Sequence, residues 1–142
     1  MHASKMAGHL IRRMNQISTH VFSQRMQAEG RDLTPVQFAA LDAIIANPGI
    51  DQASVAARIA YDRATIGGVI DRLEQKGYVE RTISRRDRRA REVRATKLGQ
   101  KEFDAILPIV EALQNDVLAG LNDPEKELFR TLAQKVIDYD AG

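Results

Sequence analysis

The sequence predicts a mainly α-helical fold of six helices that carries one small β-hairpin. Three observations support it. Aromatics make up 5% of the chain and Trp is absent, so a chain that is 44% hydrophobic must build its core mostly from Leu, Ile, Val and Ala. That mix favours helices packed on helices. Apolar residues recur at spacings of three and four through most of the 142 residues, the period of a half-buried helix. Two runs rich in β-branched residues, "YVERTIS" and "EVRAT", flank a single polar tip, as a hairpin requires. The length fits one domain, 1–142.

The first helix is expected over 7–29, where Leu10, Met14, Ile17 and Val21 form a stripe that Ile11 and Phe22 widen. The second starts at Thr34. Thr34 is an N-cap, Pro35 suits the first helical position, and Gln37 completes a Thr-x-x-Gln capping box. Phe38, Leu41, Ile44 and Ile45 face inward, and Asn47, Pro48 and Gly49 end the helix. A short third helix is capped by Asp51 and turns Val55, Ala56 and Ile59 inward. Only Ala60 and Tyr61 separate it from Asp62, read as the cap of a fourth helix, "RATIGGVIDRLEQKG", that stops at Gly77. Two short helices joined so closely make a helix-turn-helix pattern. After the hairpin, a long helix from Thr96 to about Gly120 carries Phe103, Ile106, Val110, Leu113, Val117 and Leu121, with Pro108 expected to kink it. The last helix is read with Asp123 as N-cap, Pro124 at its first position and Leu128, Leu132 and Val136 as its stripe.

Charge is placed unevenly. The formal net charge is +2, yet the segment Arg81 to Arg94 holds seven arginines against Asp87 and Glu92, a local +5 that leaves the rest at −3. A solvated surface is the plain explanation of such a run. Its position argues for more. A basic hairpin directly after a helix-turn-helix is the winged-helix order, in which one helix enters the major groove while the hairpin reaches phosphate or the minor groove. Arginine suits that work because its fork is always charged and grips phosphate in bidentate fashion. Arg85, Arg86, Asp87, Arg88, Arg89 and Arg91 are therefore candidate DNA-binding residues of the wing.

On the fourth helix, Ile66, Val69, Ile70 and Leu73 stand at i, i+3, i+4 and i+7 and form the core face. Opposite lie Ala64, Thr65, Gly68, Arg72 and Gln75; with Arg63, the first four are candidates for reading DNA. Adjacent Gly67 and Gly68 weaken a helix and need a reason, either close approach to DNA or close packing on another helix. Asp71 falls near the exposed face, where it would repel phosphate, and calls for a neighbouring arginine.

"DRRAREVRATKLG" resembles the wing signature of the MarR (multiple antibiotic resistance regulator) family, an Asp-x-Arg, then a strand, then Leu-Thr-x-x-Gly. Asp87, Arg89, Thr96 and Gly99 match, while Ala95 stands where the pattern has Leu. "LEQKGYVER" is similar to the family's helix-to-wing passage and "LTPVQFAAL" to its second helix. The resemblance implies an intertwined homodimer, with 7–29 and 97–140 as dimerisation helices and 34–96 as the winged lobe. It further implies a transcriptional regulator that binds a pseudo-palindromic double-stranded operator; a cytoplasmic location is expected from the lack of a signal segment and of a membrane-spanning run.

The first helix carries a polar stripe, His9, Arg13, Gln16 and His20, flanked by Arg12 and lying beside the apolar one. A plain solvent face would look the same. "GHLIRRMNQ" and "AYDRATIGGVIDRLEQKG" also look like the branch of the family that regulates catabolism of aromatic acids. That likeness implies a small anionic aromatic effector, or its coenzyme A thioester, held by Arg12 or Arg13.

Other classes find little support. There is no Cys, so disulfides and thiolate metal sites are out, and three scattered His make a metal sensor unexpected. No cofactor is expected: no nucleophile–base pair or phosphate loop argues for an enzyme, and "IGGVI" lacks the third glycine of a nucleotide fingerprint. The N-terminus lacks an apolar h-region and no apolar run approaches membrane-spanning length, so neither secretion nor a membrane is expected. Two alternatives to an effector-released repressor stay open: an effector-independent or architectural DNA-binding protein, and a winged-helix module for protein interaction.

Overall fold

A computed structural model describes residues 1–142. After a single 3-10 turn at Ala3–Lys5, six helices follow: α1 (Ala7–Ala28), α2 (Pro35–Ala46), α3 (Gln52–Arg58), α4 (Ile66–Gln75), α5 (Lys97–Val117) and α6 (Asp123–Ala141). Three strands, β1 (Ile50–Asp51), β2 (Val79–Ile83) and β3 (Arg91–Ala95), form an antiparallel sheet in the order β1-β3-β2. The expected hairpin is β2–β3, with Arg81 opposite Val93. The third strand was not expected: Ile50 pairs with Val93 and Asp51 with Glu92, which ties the start of α3 to the wing.

The helix ends follow side-chain chemistry. Thr34 accepts from the Gln37 N–H while the Gln37 side chain accepts from the Thr34 N–H, the reciprocal box read from the sequence. Asp51 accepts from the Ser54 N–H at 2.8 Å. That bond, then the Ser54 hydroxyl, holds the Asp51 carboxyl below its ordinary range. Two expected starts are corrected. The last helix is capped by Asn122, because Glu125 stands three residues on and returns the bond to the Asn122 N–H; Asp123 is already helical. The regular part of α4 begins at Ile66, after a lead-in turn in which the Asp62 carbonyl accepts from the Thr65 and Ile66 N–H groups. Asp62 caps that turn by accepting from the Ala64 N–H at 3.3 Å. Between α3 and α4, Ala60 adopts φ 54°, the left-handed region. α5 runs through Pro108 as one helix.

The core lies where α1, α2 and α5 meet α3, α4 and the sheet. Leu41, Ile44, Val55, Ile70, Leu73, Val93 and Ile106 are fully buried. Phe38 of α2 stacks on Phe103 of α5 at 5.3 Å and meets Phe22 of α1 at 6.3 Å, so one aromatic group joins the long helices to the lobe. The segment between α1 and α2 adds polar ties. Arg31 donates to both carboxylate oxygens of Glu102 on α5, at 2.7 and 2.8 Å, and Lys76 beyond α4 donates to the Asp32 carbonyl and to Gln37. Leu33 between them is buried.

The turn from α4 into β2 is pinned to the start of α5. Gly77 takes φ +79°, the Thr96 hydroxyl donates to its carbonyl at 2.6 Å, and the Thr96 N–H donates to the Tyr78 carbonyl at 3.0 Å. Gly99 lies against Tyr78 so closely that a Cβ there would fall 2.0 Å from the Tyr78 carbonyl oxygen.

α6 buries no residue. Its stripe stands in the open, with Leu128 56%, Leu132 52% and Val136 68% exposed, and Leu10 and Ile17 of α1 are exposed as well.

Candidate DNA interface

Helix α4 is amphipathic in the expected sense. Ile66, Ile70 and Leu73 are buried, while Thr65, Gly68 and Arg72 lie exposed on the other side. Arg63 and Ala64 are exposed on the lead-in turn. The Thr65 hydroxyl is already engaged, donating to Asp62 at its carbonyl and its carboxylate, both at 3.2 Å. Its methyl group and its two acceptor lone pairs are what it can still offer a ligand.

The wing tip is shaped from within. The buried Ser84 hydroxyl accepts from the Arg86 and Asp87 N–H groups at 3.2 and 3.3 Å, and the Asp87 carboxylate accepts from the Arg89 N–H at 3.0 Å. The Ser84 N–H donates to the Ala90 carbonyl and the Ala90 N–H to that of Asp87, closing the turn. Asp87 thus spends its carboxylate on the backbone of the tip. The arginines beside it, Arg85, Arg86, Arg88, Arg89 and Arg91, are exposed and form no ion pair within the subunit.

Arg81 differs from the others. Its Nη2 bonds Asp71 and, at 3.0 Å, Glu74, while Nη1 donates to Gln52 of α3 at 2.8 Å. Burial works against its charge, but the bonds to Asp71 and then Glu74 outweigh it and raise its pKa. This is the neutralising arginine that Asp71 calls for. It removes Arg81 from the supply of free cations and fixes β2 to α3 and α4 at one point. The sequence signal was thin, since nothing but position separates Arg81 from six other arginines.

Between the wing, the start of α3 and the α4 lead-in runs an open groove of about 650 Å³, lined by Asp51, Gln52, Arg63, Arg89 and Arg91 among others. Three unpaired guanidinium groups from two elements therefore converge on one concave surface. Such a surface offers several bidentate donors to phosphate and concentrates positive potential in a cleft.

The polar stripe of α1 lies elsewhere. His9 and Arg12 are within hydrogen-bond distance at 2.9 Å, Arg13 donates to Gln16 at 2.5 Å, and His20 is exposed further along. The stripe adjoins the exposed Leu10 and Ile17 of the same helix. No group of three His, Cys, Asp or Glu is placed to hold a metal ion, and no helix is long and apolar enough to cross a membrane.

Comparison with known proteins gives a consistent picture. A profile of the MarR family matches residues 31–90, from the α1–α2 segment through the wing tip. The transcriptional regulator HosA of Escherichia coli is 33% identical over 132 residues, covering 93% of this chain and 95% of that protein. The HTH-type transcriptional repressor NicR of Pseudomonas putida is 32% identical over 137 residues, covering 96% and 85%. Among solved structures, Bordetella bronchiseptica BpsR, whose DNA binding is regulated by 6-hydroxynicotinic acid, superposes with a TM-score of 0.87 at 30% identity, covering 97% of each chain.

Proposed function

The chain belongs to the MarR family of transcriptional regulators, and on that premise we propose that it is a repressor released from its operator by a small aromatic acid or the coenzyme A thioester of one. A regulator of this family is not an enzyme. The observation that carries the DNA-binding part is the unpaired arginine set on the wing and groove, next to an exposed helix face whose own acid, Asp71, is already neutralised. Arg85, Arg86, Arg88, Arg89 and Arg91 supply phosphate contacts, Asp87 holds the tip in shape, and Arg63, Ala64, Thr65, Gly68 and Arg72 face the bases.

We read the working form as a homodimer in the cytoplasm. Residues 34–96 form the DNA-binding lobe and 7–29 with 97–140 the dimerisation helices. Leu128, Leu132 and Val136 of α6, and Leu10 and Ile17 of α1, are exposed apolar residues that a second copy would cover. His9, Arg12, Arg13, Gln16 and His20 adjoin Leu10 and Ile17 and supply the cations and donors that an aromatic carboxylate needs beside apolar walls. The regulation of BpsR by 6-hydroxynicotinic acid, itself an aromatic acid, supports that ligand class.

The test has three arms. Light scattering at micromolar concentration should give a dimer. A duplex that the protein selects from random-sequence DNA should bind with an affinity that falls steeply with salt, and Arg89→Ala should lower the salt slope by about one. A panel of phenolic, nicotinic and cinnamic acids and their thioesters should release that duplex from the wild type. Arg12→Ala or Arg13→Ala should bind DNA and lose the response. A protein that selects no duplex favours the protein-interaction module; one that selects a duplex and ignores every acid favours an effector-independent or architectural DNA-binding protein.

A further inference from the structure

Gly68 is the third residue of α4 and lies on its exposed side, three residues after Thr65 and four before Arg72. A Cβ added there would meet no atom within 4 Å. At Gly67 a Cβ would meet the Gln52 side-chain amide at 3.5 Å, an ordinary contact. Neither glycine takes a positive φ. Packing inside the subunit and backbone conformation, the two usual reasons for glycine in a helix, are therefore both absent at Gly68. A ten-residue helix gives up stability there and gains no contact within the subunit in return.

A bare Cα on an exposed face does one thing that any side chain would prevent: it admits another surface closer to the backbone. Its neighbours indicate which surface. Thr65 and Arg72 flank the gap along the same face, and the groove with Arg63, Arg89 and Arg91 opens beside the start of the helix. The major groove is about 12 Å wide and a helix with its side chains about 10–12 Å across, so a helix seated in it has little clearance. One methyl group on the side facing the base pairs changes how deep it can sit.

We propose that Gly68 is a specificity-determining residue: the bare stretch of α4 between Thr65 and Arg72 seats the helix against base edges at a depth that a side chain would forbid. This rests on the DNA-binding reading above. It differs from a phosphate contact in a measurable way, because a base-edge contact is lost on one sequence and a phosphate contact on all.

The experiment uses the full chain with Gly68→Ala and, as control, Gly67→Ala. Both should raise the melting temperature by about 2–4 °C, the gain of alanine over glycine in a helix. Binding is measured to a duplex selected by the wild type from random-sequence DNA and to a scrambled duplex of the same composition. Gly68→Ala should lose about tenfold or more on the selected duplex and stay within about twofold on the scrambled one. Gly67→Ala should bind both like the wild type. Unchanged affinity of Gly68→Ala for the selected duplex overturns the proposal. So does an equal loss on both duplexes, which would put phosphate at Gly68. A lower melting temperature, or a change from dimer to monomer, would assign the glycine to the fold or to the partner copy instead. If the wild type selects no duplex, the DNA-binding reading fails first and this inference falls with it.

Discussion

Gly99→Ala should destabilise the protein, against the ordinary preference of helices for alanine. Gly99 lies in the first turn of α5, where alanine would by propensity gain about 0.5–1 kcal/mol. The added Cβ, however, would stand 2.0 Å from the Tyr78 oxygen, 2.8 Å from its carbonyl carbon and 3.0 Å from its Cα. Ordinary contact begins near 3.4 Å, so α5 and the α4–β2 turn must separate by about 1.4 Å. Both sides are backbone, and no rotamer change can relieve the clash. Separation stretches the Thr96 N–H bond to Tyr78 and the Thr96 hydroxyl bond to Gly77, each contributing about 0.5–1.5 kcal/mol. Overpacking adds about 1–3 kcal/mol. Less the helix gain, the net loss is about 1–5.5 kcal/mol. Urea unfolding at fixed protein concentration reads it as a lower midpoint with an unchanged slope. Gly67→Ala, whose Cβ has room, is the matched control and should shift the midpoint upward. If Gly99→Ala unfolds at or above the wild-type midpoint, the contact with Tyr78 is not a constraint and the reasoning is wrong.

Other perturbations test other joints. Asp51→Ala removes the α3 cap and should cost about 0.5–2 kcal/mol. Because the folded Asp51 pKa is lowered, its contribution is full above the ordinary carboxylate range and is lost as pH falls through the folded value; acid unfolding of Asp51→Asn should therefore be shallower than that of the wild type. Ala60→Gly relieves the left-handed residue between α3 and α4 and should raise the thermal midpoint, by about 1 kcal/mol in free energy. Burial, then the charge of Glu102, raises the Tyr78 pKa, so Glu102→Gln should let Tyr78 ionise at lower pH in an ultraviolet titration. Arg81→Gln unpairs Asp71 and Glu74 beside the proposed DNA face, and binding should weaken on every duplex; Asp71→Asn in the same chain should restore part of it.

What could be read from the sequence was what depends on neighbours in the chain. Thr34 with Gln37 announces a helix start because both partners of the bond lie within one turn. The stripe Ile66, Ile70 and Leu73 announces a core face because helical geometry alone places those residues together. Asn122 was equally legible and was missed: with Asp123 as cap the third helical residue would be Lys126, which cannot return the bond, whereas Asn122 puts Glu125 there. β1 could not be read, since two residues make a strand only when β3 lies alongside. The same holds for Arg81, whose partners are ten, seven and 29 residues away and are set by how the wing folds back on α3 and α4. The unpaired wing arginines were found as a group because their number, not their contacts, marks them.

The α1–α2 segment has the outline of a loop and the attachments of a weld. Arg31 grips α5, Asp32 is held by Lys76 at the end of α4, and Leu33 is sunk between them. At the wing tip, by contrast, the hydrogen bonds run among residues 84 to 90 alone. Two connections of similar appearance should therefore accept alteration very differently. An extra residue beside Arg31 would throw three anchor points out of step at once, while one added at the tip would disturb a single turn. The same contrast governs how the subunit can move. A pull on α5 is thus passed through Arg31, Leu33 and Lys76 to the end of α4, while the arginine-bearing tip is tied only to itself.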